Sequence, residues 1–232
     1  MPVHIHPTAP LAPRALLPGD PGRALTLAQL LLSEPKMFNH NRGLWGYTGT
    51  AADGEPLTIQ TTGMGGPSAA IVLEELCDLG LEVAIRVGTC GALVADLALG
   101  DLIIADAALA SDGASRALGA DGRVAADTGL VAALQQAAGA SARTGAVATS
   151  DLFYDPDPDR GGGWREASAL AVEMEAATLL RVGELRGIRV GCLLTVSDML
   201  EAGGERHRID ADALLKAAER LGRVGASALG AS

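Results

Sequence analysis

The sequence predicts an α/β protein with three layers, α/β/α, around a central mixed sheet. Apolar segments with strand-like and helix-like spacing alternate along the chain, and one segment has the pattern of an antiparallel hairpin. The chain has 232 residues, of which 48% are hydrophobic, so it can bury a large core without disulfides. No internal repeat or long linker divides it, and we expect a single domain over residues 1–232.

The first half of the chain opens with a strand, a turn and a helix. Asp20 can cap that helix, and Pro21 suits its first turn. The pair Asp53-Gly54 is a turn signal between alternating bulky and small residues, which indicates a hairpin. The predicted elements are a strand at 16–17, a helix ending near 32, a hairpin within 43–62, a helix opening at 63–68 and a buried strand at 83–87.

The second half continues the alternation, which favours a largely parallel sheet covered on both faces. The strand at 83–87 ends in Gly88-Thr89-Cys90-Gly91, a pattern typical of a tight exit turn. The later predicted elements are strands at 102–107, 143–150 and 189–196, and helices at 128–138, near 173–185 and from 210 towards 221. In such sheets ligands bind beyond the strand ends, where the glycine-rich turns lie.

The charge balance disfavours large anionic partners. The chain carries 18 basic and 28 acidic residues, a net charge of −10, so we expect neither nucleic acid nor a membrane surface as partner. Its 3 cysteines form no CxxC pair, which favours a reducing compartment. Prolines interrupt the N-terminal segment where a signal peptide would need an apolar run, and we expect a cytoplasmic protein.

Arginines near glycine-rich turns predict a site for a small anion. Turns of this kind present backbone N–H groups, and arginine suits forked contact with phosphate oxygens. Arg23 and Arg86 belong to two such turns, and Arg42 lies in a polar segment. Each arginine could instead be a solvated surface charge. Arg86 argues against that alternative, because it interrupts an apolar strand where an unpaired charge is costly.

Acidic residues in apolar surroundings supply the second group of candidates. Glu173 and Glu175 lie where an apolar stretch turns into a helix, so either could cap the helix, and Glu175 could bind a pair of ligand hydroxyls. Ser197 and Asp198 end an apolar strand. A carboxylic acid in such a dry place could act as a general acid, although Asp198 could equally cap a turn.

Motifs of dinucleotide, Walker-type and metal sites fit poorly. A dinucleotide fingerprint starting at Gly63 would need a third glycine where Ser68 stands, and no Walker-type lysine motif is present. The acidic positions 155, 157, 159 and 166 match a calcium loop, but Arg160 replaces the glycine that the loop requires. His4 and His6 lack a third ligand in the sequence pattern. We therefore expect no metal and no cofactor.

Taken together, these segments resemble the hexameric-type purine nucleoside phosphorylases of the nucleoside phosphorylase superfamily. The resemblance runs from His4 to about Asp198. It is carried by Leu17-Pro18-Gly19-Asp20-Pro21-Gly22-Arg23-Ala24, Arg42-Gly43-Leu44-Trp45-Gly46-Tyr47-Thr48-Gly49, Gly63-Met64-Gly65, Arg86-Val87-Gly88-Thr89-Cys90-Gly91-Ala92, Ser150-Asp151-Leu152-Phe153-Tyr154, Val172-Glu173-Met174-Glu175-Ala176 and Val196-Ser197-Asp198.

The resemblance implies an activity: reversible phosphorolysis of purine ribonucleosides and deoxyribonucleosides, with inorganic phosphate as co-substrate. It implies a homohexamer, a trimer of dimers, whose neighbouring subunits share active sites. The implied phosphate ligands are Gly19, Arg23, Arg86 and Thr89, with Arg42 from a neighbour. The implied nucleoside ligands are Met174 and Glu175 at the ribose, a neighbour's His4 at the 5′-hydroxyl, Phe153 stacked on the base, Val172 and Glu173 beside it, and Ser197 and Asp198 facing the purine. Asp198 would protonate purine N7.

Two features depart from the family pattern or leave a choice. Family members carry an arginine that assists the acid, and either Arg206 or Arg208 could fill that role here. Thr89 is the residue usual in the related uridine phosphorylases, but Asp198 favours purines.

A water-using nucleosidase of the same fold and a non-catalytic purine-binding or nucleotide-binding module are two competing hypotheses. A carboxylic acid can protonate N7 of 6-oxo and 6-amino purines alike, so both should be substrates.

Overall fold

The computed structural model describes residues 2–157, 160–200 and 206–231, and in them helices cover both faces of one sheet. The helices are α1 (Pro21–Leu31), α2 (Gly66–Asp78), α3 (Gly113–Ala117), α4 (Thr128–Ala138), α5 (Arg160–Glu166), α6 (Ala176–Arg186) and α7 (Ala211–Gly230). The strands are β1 (Arg14–Leu17), β2 (Ser33–Asn39), β3 (Gly46–Thr50), β4 (Pro56–Gln60), β5 (Val83–Ala92), β6 (Leu102–Ala110), β7 (Arg123–Ala125), β8 (Ala142–Thr149), β9 (Ala171–Glu173), β10 (Arg189–Leu200) and β11 (Arg206–Arg208).

Strand β5 lies at the centre of the sheet. It pairs in parallel with β1 on one side and with β10 on the other, and its last residues pair antiparallel with β9. Further pairings link β10 to β6, β6 to β8 and β8 to β9. The sheet is mixed, as predicted, and the C-terminal ends of β1, β5 and β10 meet at one edge.

Apolar side chains form a buried cluster on each face of the sheet. Helices α2, α3 and α6 pack together on one face, where Leu73 and Leu179 are fully buried. Helices α1, α4 and α7 cover the other face, where Leu27, Leu130 and Leu221 are fully buried. The predicted three-layer α/β/α architecture is confirmed. No helix in the described ranges is both long enough and apolar enough to cross a membrane.

Local signals in the sequence placed several elements correctly. Asp20 caps α1, since its Oδ1 accepts a hydrogen bond from the Arg23 backbone N–H at 2.7 Å. The predicted hairpin is the antiparallel pair β3 and β4. Helix α4 spans the predicted residues 128–138.

Some predicted element ends are wrong, and one strand is missing from the prediction. Gly88-Thr89-Cys90-Gly91 is not an exit turn, because β5 continues through it to Ala92 and pairs with β10 along that length. The final helix continues past residue 221 to Gly230. The edge strand β2 does not follow from the sequence pattern, because its first five residues are exposed and include Pro35.

Candidate active site

A cavity of about 480 Å³ opens at the C-terminal ends of the central strands. The turns after β1 and β4, the end of β5 and the end of β10 all contribute to its wall, as expected for an α/β sheet. Most of the predicted site residues line it, namely Gly19, Arg23, Arg86, Thr89, Phe153, Val172, Glu173, Met174, Glu175, Ser197 and Asp198. His4 and Arg42 do not.

Arg86 is buried between two carboxylates. Its Nε lies 2.9 Å from Oε2 of Glu173, and its Nη2 pairs with Oε2 of Glu175. Each of the three side chains is less than a tenth exposed, so the charge of Arg86 needs partners inside the protein. The two ion pairs supply them, which explains how an apolar strand can carry a charge. The remaining nitrogen, Nη1, has no hydrogen-bond partner within the part of the chain that the structure describes. A buried donor in a cavity wall is suited to an anionic ligand.

A second guanidinium converges on the same end of the cavity. Burial and the nearby positive charge of Arg86 lower the pKa of Arg23, against the opposing effect of Asp20 and Glu175. The two arginines are therefore close enough to repel each other. Gly19 lies beside them, and a Cβ there would come within 3.2 Å of the Gly63 carbonyl oxygen, so the two turns approach closely. Two guanidinium groups on one cavity wall can bind a small anion such as phosphate.

Glu173 is an internal anchor rather than an open ligand. One oxygen accepts a hydrogen bond from Thr149 Oγ1 at 2.6 Å, and the other accepts one from the Glu175 backbone N–H at 2.8 Å. The Ala176 N–H also donates to this carboxylate. The helix-capping interpretation that the sequence left open therefore describes this carboxylate, although Glu173 still lines the cavity.

Glu175 links Arg86 to the turn that precedes α2. Its Oε1 accepts a hydrogen bond from the Gly65 backbone N–H at 2.5 Å, while its Oε2 pairs with Arg86. Gly65 has a φ of 89°, a conformation that glycine adopts without strain. Burial raises the pKa of Glu175, and the positive charge of Arg86 opposes that rise. Both oxygens are hydrogen-bond acceptors on the cavity wall, as a site for ligand hydroxyls requires.

The other end of the cavity carries a buried acid. Asp198 is 4% exposed, and its Oδ2 accepts a hydrogen bond from Ser197 Oγ at 2.7 Å. Its Oδ1 lies 3.4 Å from Nε of Arg208, which β11 brings opposite Asp198. The structure thus distinguishes the two candidate arginines. Arg208 faces the acid, whereas Arg206 contacts the aromatic part of the wall.

Phe153 forms that aromatic part. The guanidinium carbon of Arg206 lies 3.9 Å from the centre of its ring, and Nη2 of Arg206 donates to the Phe153 carbonyl oxygen. Tyr154 meets the ring edge-on, with centroids 5.0 Å apart. Phe153 and Asp198 therefore lie on the wall of one cavity.

His4 and Arg42 lie away from this chain's cavity. Nδ1 of His4 is 2.7 Å from Oε1 of Glu75 on α2. Arg42 is exposed, and its backbone has a φ of 56° in a short 3-10 turn. The structure does not bring either residue to the remaining candidate ligands of the same chain.

The acidic segment that resembles a calcium loop in sequence contains an ion pair of its own. Nε of Arg160 pairs with Oδ2 of Asp155, so the loop supplies its own cation. Position 159 of this pattern lies outside the described residues. Within the described part of the chain, no group of three or more His, Cys, Asp or Glu side chains is arranged to hold a metal ion.

Two contributors to the site were missed by sequence reasoning. Thr149 anchors Glu173 and also accepts a hydrogen bond from the Ala177 N–H at 2.8 Å. A threonine at the end of a strand gives no sequence signal for this role. Cys90 lines the cavity next to Thr89, and burial raises its pKa well above the ordinary value. It packs as an uncharged thiol.

Comparison with known proteins identifies the family to which the chain belongs. The sequence profile of the phosphorylase superfamily matches residues 13–230. The chain belongs to the phosphorylase superfamily. This membership agrees with the mixed α/β architecture and with the position of the cavity at the strand ends.

Several members of the superfamily are similar over most of their length. A purine nucleoside phosphorylase DeoD-type of Geobacillus kaustophilus is 39% identical over 212 residues, which is 88% of this chain and 89% of the relative. One of the same name from Caldanaerobacter subterraneus subsp. tengcongensis is 38% identical, over 83% of this chain and 85% of the relative. A guanosine phosphorylase of Halorubrum lacusprofundi is 36% identical, over 83% of this chain and 80% of the relative.

Proposed function

We propose that the protein catalyses phosphorolysis of purine nucleosides, giving the free base and ribose 1-phosphate or deoxyribose 1-phosphate. The observation that carries the proposal is the cavity with two arginines at one end and a buried carboxylic acid at the other. Relatives named as purine nucleoside phosphorylases cover most of the chain and support it. Inorganic phosphate is the co-substrate, and the reaction needs no cofactor.

The phosphate binds at the arginine end. Arg23 and Nη1 of Arg86 donate to its oxygens, together with Thr89 and the backbone at Gly19. Fixing the anion there turns a bimolecular encounter into attack within one complex. In this arrangement Glu173 anchors Arg86 and does not bind the base.

The nucleoside spans the rest of the cavity. Glu175 and Met174 hold the ribose, with Val172 beside the base, and Phe153 packs on the purine. Ser197 keeps the Asp198 carboxyl turned to the base through the hydrogen bond to Oδ2. Oδ1 of Asp198 has no hydrogen-bond partner among the described residues and faces the purine, with Nε of Arg208 3.4 Å from it.

The reaction breaks the bond between ribose C1′ and purine N9. The bonding electrons leave with the purine, positive charge develops on the ribose, and a phosphate oxygen forms the new bond to C1′. Asp198 donates its proton to N7, so that the base leaves neutral. The hydrogen that the phosphate loses on forming the ester balances the proton taken by the base, and Asp198 is restored.

We propose that the active unit is a homo-oligomer, a hexamer built as a trimer of dimers, in the cytoplasm. His4 and Arg42 lie outside the cavity of their own chain, and a neighbouring copy would receive them. In that copy, His4 reaches the ribose 5′-hydroxyl and Arg42 the phosphate. Each subunit then consists of one domain over residues 1–232.

The experiment is a phosphorolysis assay over inosine, guanosine, adenosine and uridine, with and without phosphate. We expect base release from all three purine nucleosides only when phosphate is present, and ribose 1-phosphate as the second product. Release of base without phosphate would instead indicate a hydrolase. Turnover of uridine in preference to the purines would contradict the role given to Asp198.

Variants of two aspartates test the acid. Asp198→Asn should lower kcat by roughly 10²- to 10⁴-fold, because a positioned general acid contributes about that much. Asp127→Asn is the matched control, since Asp127 caps α4 away from the cavity and asparagine also caps helices. Equal activity of the two variants would rule out the assigned role of Asp198.

A further inference from the structure

The N-terminal segment is fastened to helix α2 through one carboxylate. Glu75 Oε1 accepts a hydrogen bond from the Val3 backbone N–H at 3.0 Å, and Oε2 accepts bonds from the N–H groups of His4 at 2.9 Å and Ile5 at 2.7 Å. Nδ1 of the His4 ring lies 2.7 Å from Oε1. Three consecutive residues and one imidazole thus converge on a single carboxylate, and Ile5 is fully buried beside it.

This carboxylate is a strong hydrogen-bond acceptor. Burial alone would raise the pKa of Glu75, but the hydrogen bonds from the His4 ring and from the backbone of residues 3–5 outweigh it and lower the pKa to about 2. Glu75 is therefore ionised at neutral pH and can only accept. The hydrogen between the two side chains must belong to Nδ1 of His4.

The position of that hydrogen decides what the second ring nitrogen can do. In a neutral imidazole only one nitrogen carries hydrogen, so Nε2 of His4 is left with a lone pair. A carboxylate that orients a histidine in this way is a common device at sites where the far nitrogen contacts a ligand. Asn41 Nδ2 also donates to the His4 carbonyl at 2.9 Å, so backbone and ring are both held.

We infer that Glu75 is a positioning residue, which holds His4 in the tautomer whose Nε2 accepts a hydrogen bond from the 5′-hydroxyl of a nucleoside bound in a neighbouring subunit. The inference rests on the proposed function, which supplies both the nucleoside and the neighbour. It adds a direction to the contact: the substrate donates and the protein accepts. Nucleosides with a hydrogen-bond donor at the 5′ position are therefore favoured over analogues that lack one.

The test compares inosine with 5′-deoxyinosine and 5′-deoxy-5′-fluoroinosine by kcat/KM. The wild-type protein should prefer inosine over both analogues by roughly two- to tenfold, the usual net effect of one neutral hydrogen bond. The fluoro analogue should be no better than the deoxy one, since fluorine cannot donate. In Glu75→Ala the preference should disappear, while turnover of 5′-deoxyinosine stays within about twofold of wild type.

Glu74→Ala is the matched control. Glu74 is the preceding residue on α2 and pairs with Arg186 on the surface, so its loss removes a carboxylate without touching the N-terminal segment. This variant should keep the full preference for inosine. A purely structural role of Glu75 would instead lower the activity on inosine and on 5′-deoxyinosine by the same factor.

Several results would overturn the inference. If the wild-type protein splits inosine and 5′-deoxyinosine equally well, the contact with the 5′-hydroxyl is excluded, although phosphorolysis itself is not. If Glu75→Ala retains the preference for inosine, Glu75 does not position His4. If Glu75→Ala does not fold, Glu75→Met decides, because its side chain fills a similar space and has no oxygen that can accept from Nδ1 of His4, so the preference should still fall. Absence of any phosphorolysis by wild type overturns the proposed function first.

Discussion

Replacing Arg86 by methionine should destabilise the protein in a pH-dependent way. The change removes the cation that Glu173 and Glu175 share, and the exposed fractions of the three side chains are 4%, 0% and 7%. Breaking a buried ion pair by removing one partner costs about 3–5 kcal/mol, because the remaining charge is left unpaired. Domains of this kind are stable by roughly 5–15 kcal/mol, so the loss should be large.

The pH dependence follows from Glu175. Burial already raises its pKa, and Arg86 is the largest opposing influence, so removing Arg86 raises that pKa further. A carboxyl whose folded pKa exceeds its unfolded value of about 4.3 destabilises the folded state increasingly as pH rises from the unfolded to the folded pKa. The deficit of Arg86→Met relative to wild type should therefore be largest near pH 8 and shrink towards pH 5.

Urea unfolding followed by circular dichroism, at one protein concentration and at pH 8, 6.5 and 5, measures this deficit. Adding Glu175→Gln to Arg86→Met should recover part of the stability at pH 8. Arg143→Met is the control, because Arg143 and its partner Asp96 are 41% and 68% exposed and such pairs contribute at most about 1 kcal/mol. A deficit that is independent of pH and unaffected by Glu175→Gln would refute the reasoning.

Three further changes have definite expected results. Gly88→Ala places a Cβ 2.7 Å from Nη2 of Arg86, so the guanidinium must shift, and the KM for phosphate should rise roughly ten- to a hundredfold in steady-state assays. Gly183→Ala places a Cβ in steric conflict with Cγ2 of Val190, and overpacking of about 1–3 kcal/mol should lower the urea midpoint despite the better helix propensity of alanine. The pKa of Glu75, lowered to about 2, contributes stability that is present above about pH 4.3 and is lost as pH falls towards 2. Wild type should therefore lose its advantage over Glu75→Gln in urea unfolding between pH 5 and pH 2.5, and a constant difference would contradict this.

The fold was largely predictable because its signals are local. Asp20, the hairpin turn and the helical spacing of α4 each act within a few residues, and the structure confirms them. Strand β2 escaped prediction because it is an edge strand, where exposure permits polar residues, Pro35 and a positive φ at Glu34. Its pairing with β3 depends on tertiary context that a residue pattern does not contain.

The sequence predicted which residues line the cavity better than it predicted the contacts between them. A charged residue in an apolar strand must have partners, so Arg86 could be singled out from sequence. Its partners could not, because Glu173 and Glu175 are far from Arg86 in the sequence and meet it only in the folded sheet, where β9 pairs with β5 and β8. The choice of Arg208 over Arg206 at Asp198 likewise depends on the register between β10 and β11.

The buried cluster explains how an acidic chain can hold an anion. Arg86 carries one positive charge against two carboxylates, and Arg23 adds the second positive charge that balances them, so an approaching phosphate meets a neutral group of four side chains rather than a bare cation. Glu175 pairs with Arg86 and also lines the cavity, so a ligand hydroxyl that donates to this carboxylate should weaken its ion pair with Arg86. The arginine is then freer to bind phosphate. Binding of a nucleoside should thus increase the affinity for phosphate, because both ligands act on the Glu175 carboxylate. The coupling free energy between the two sites would arise from this one ion pair.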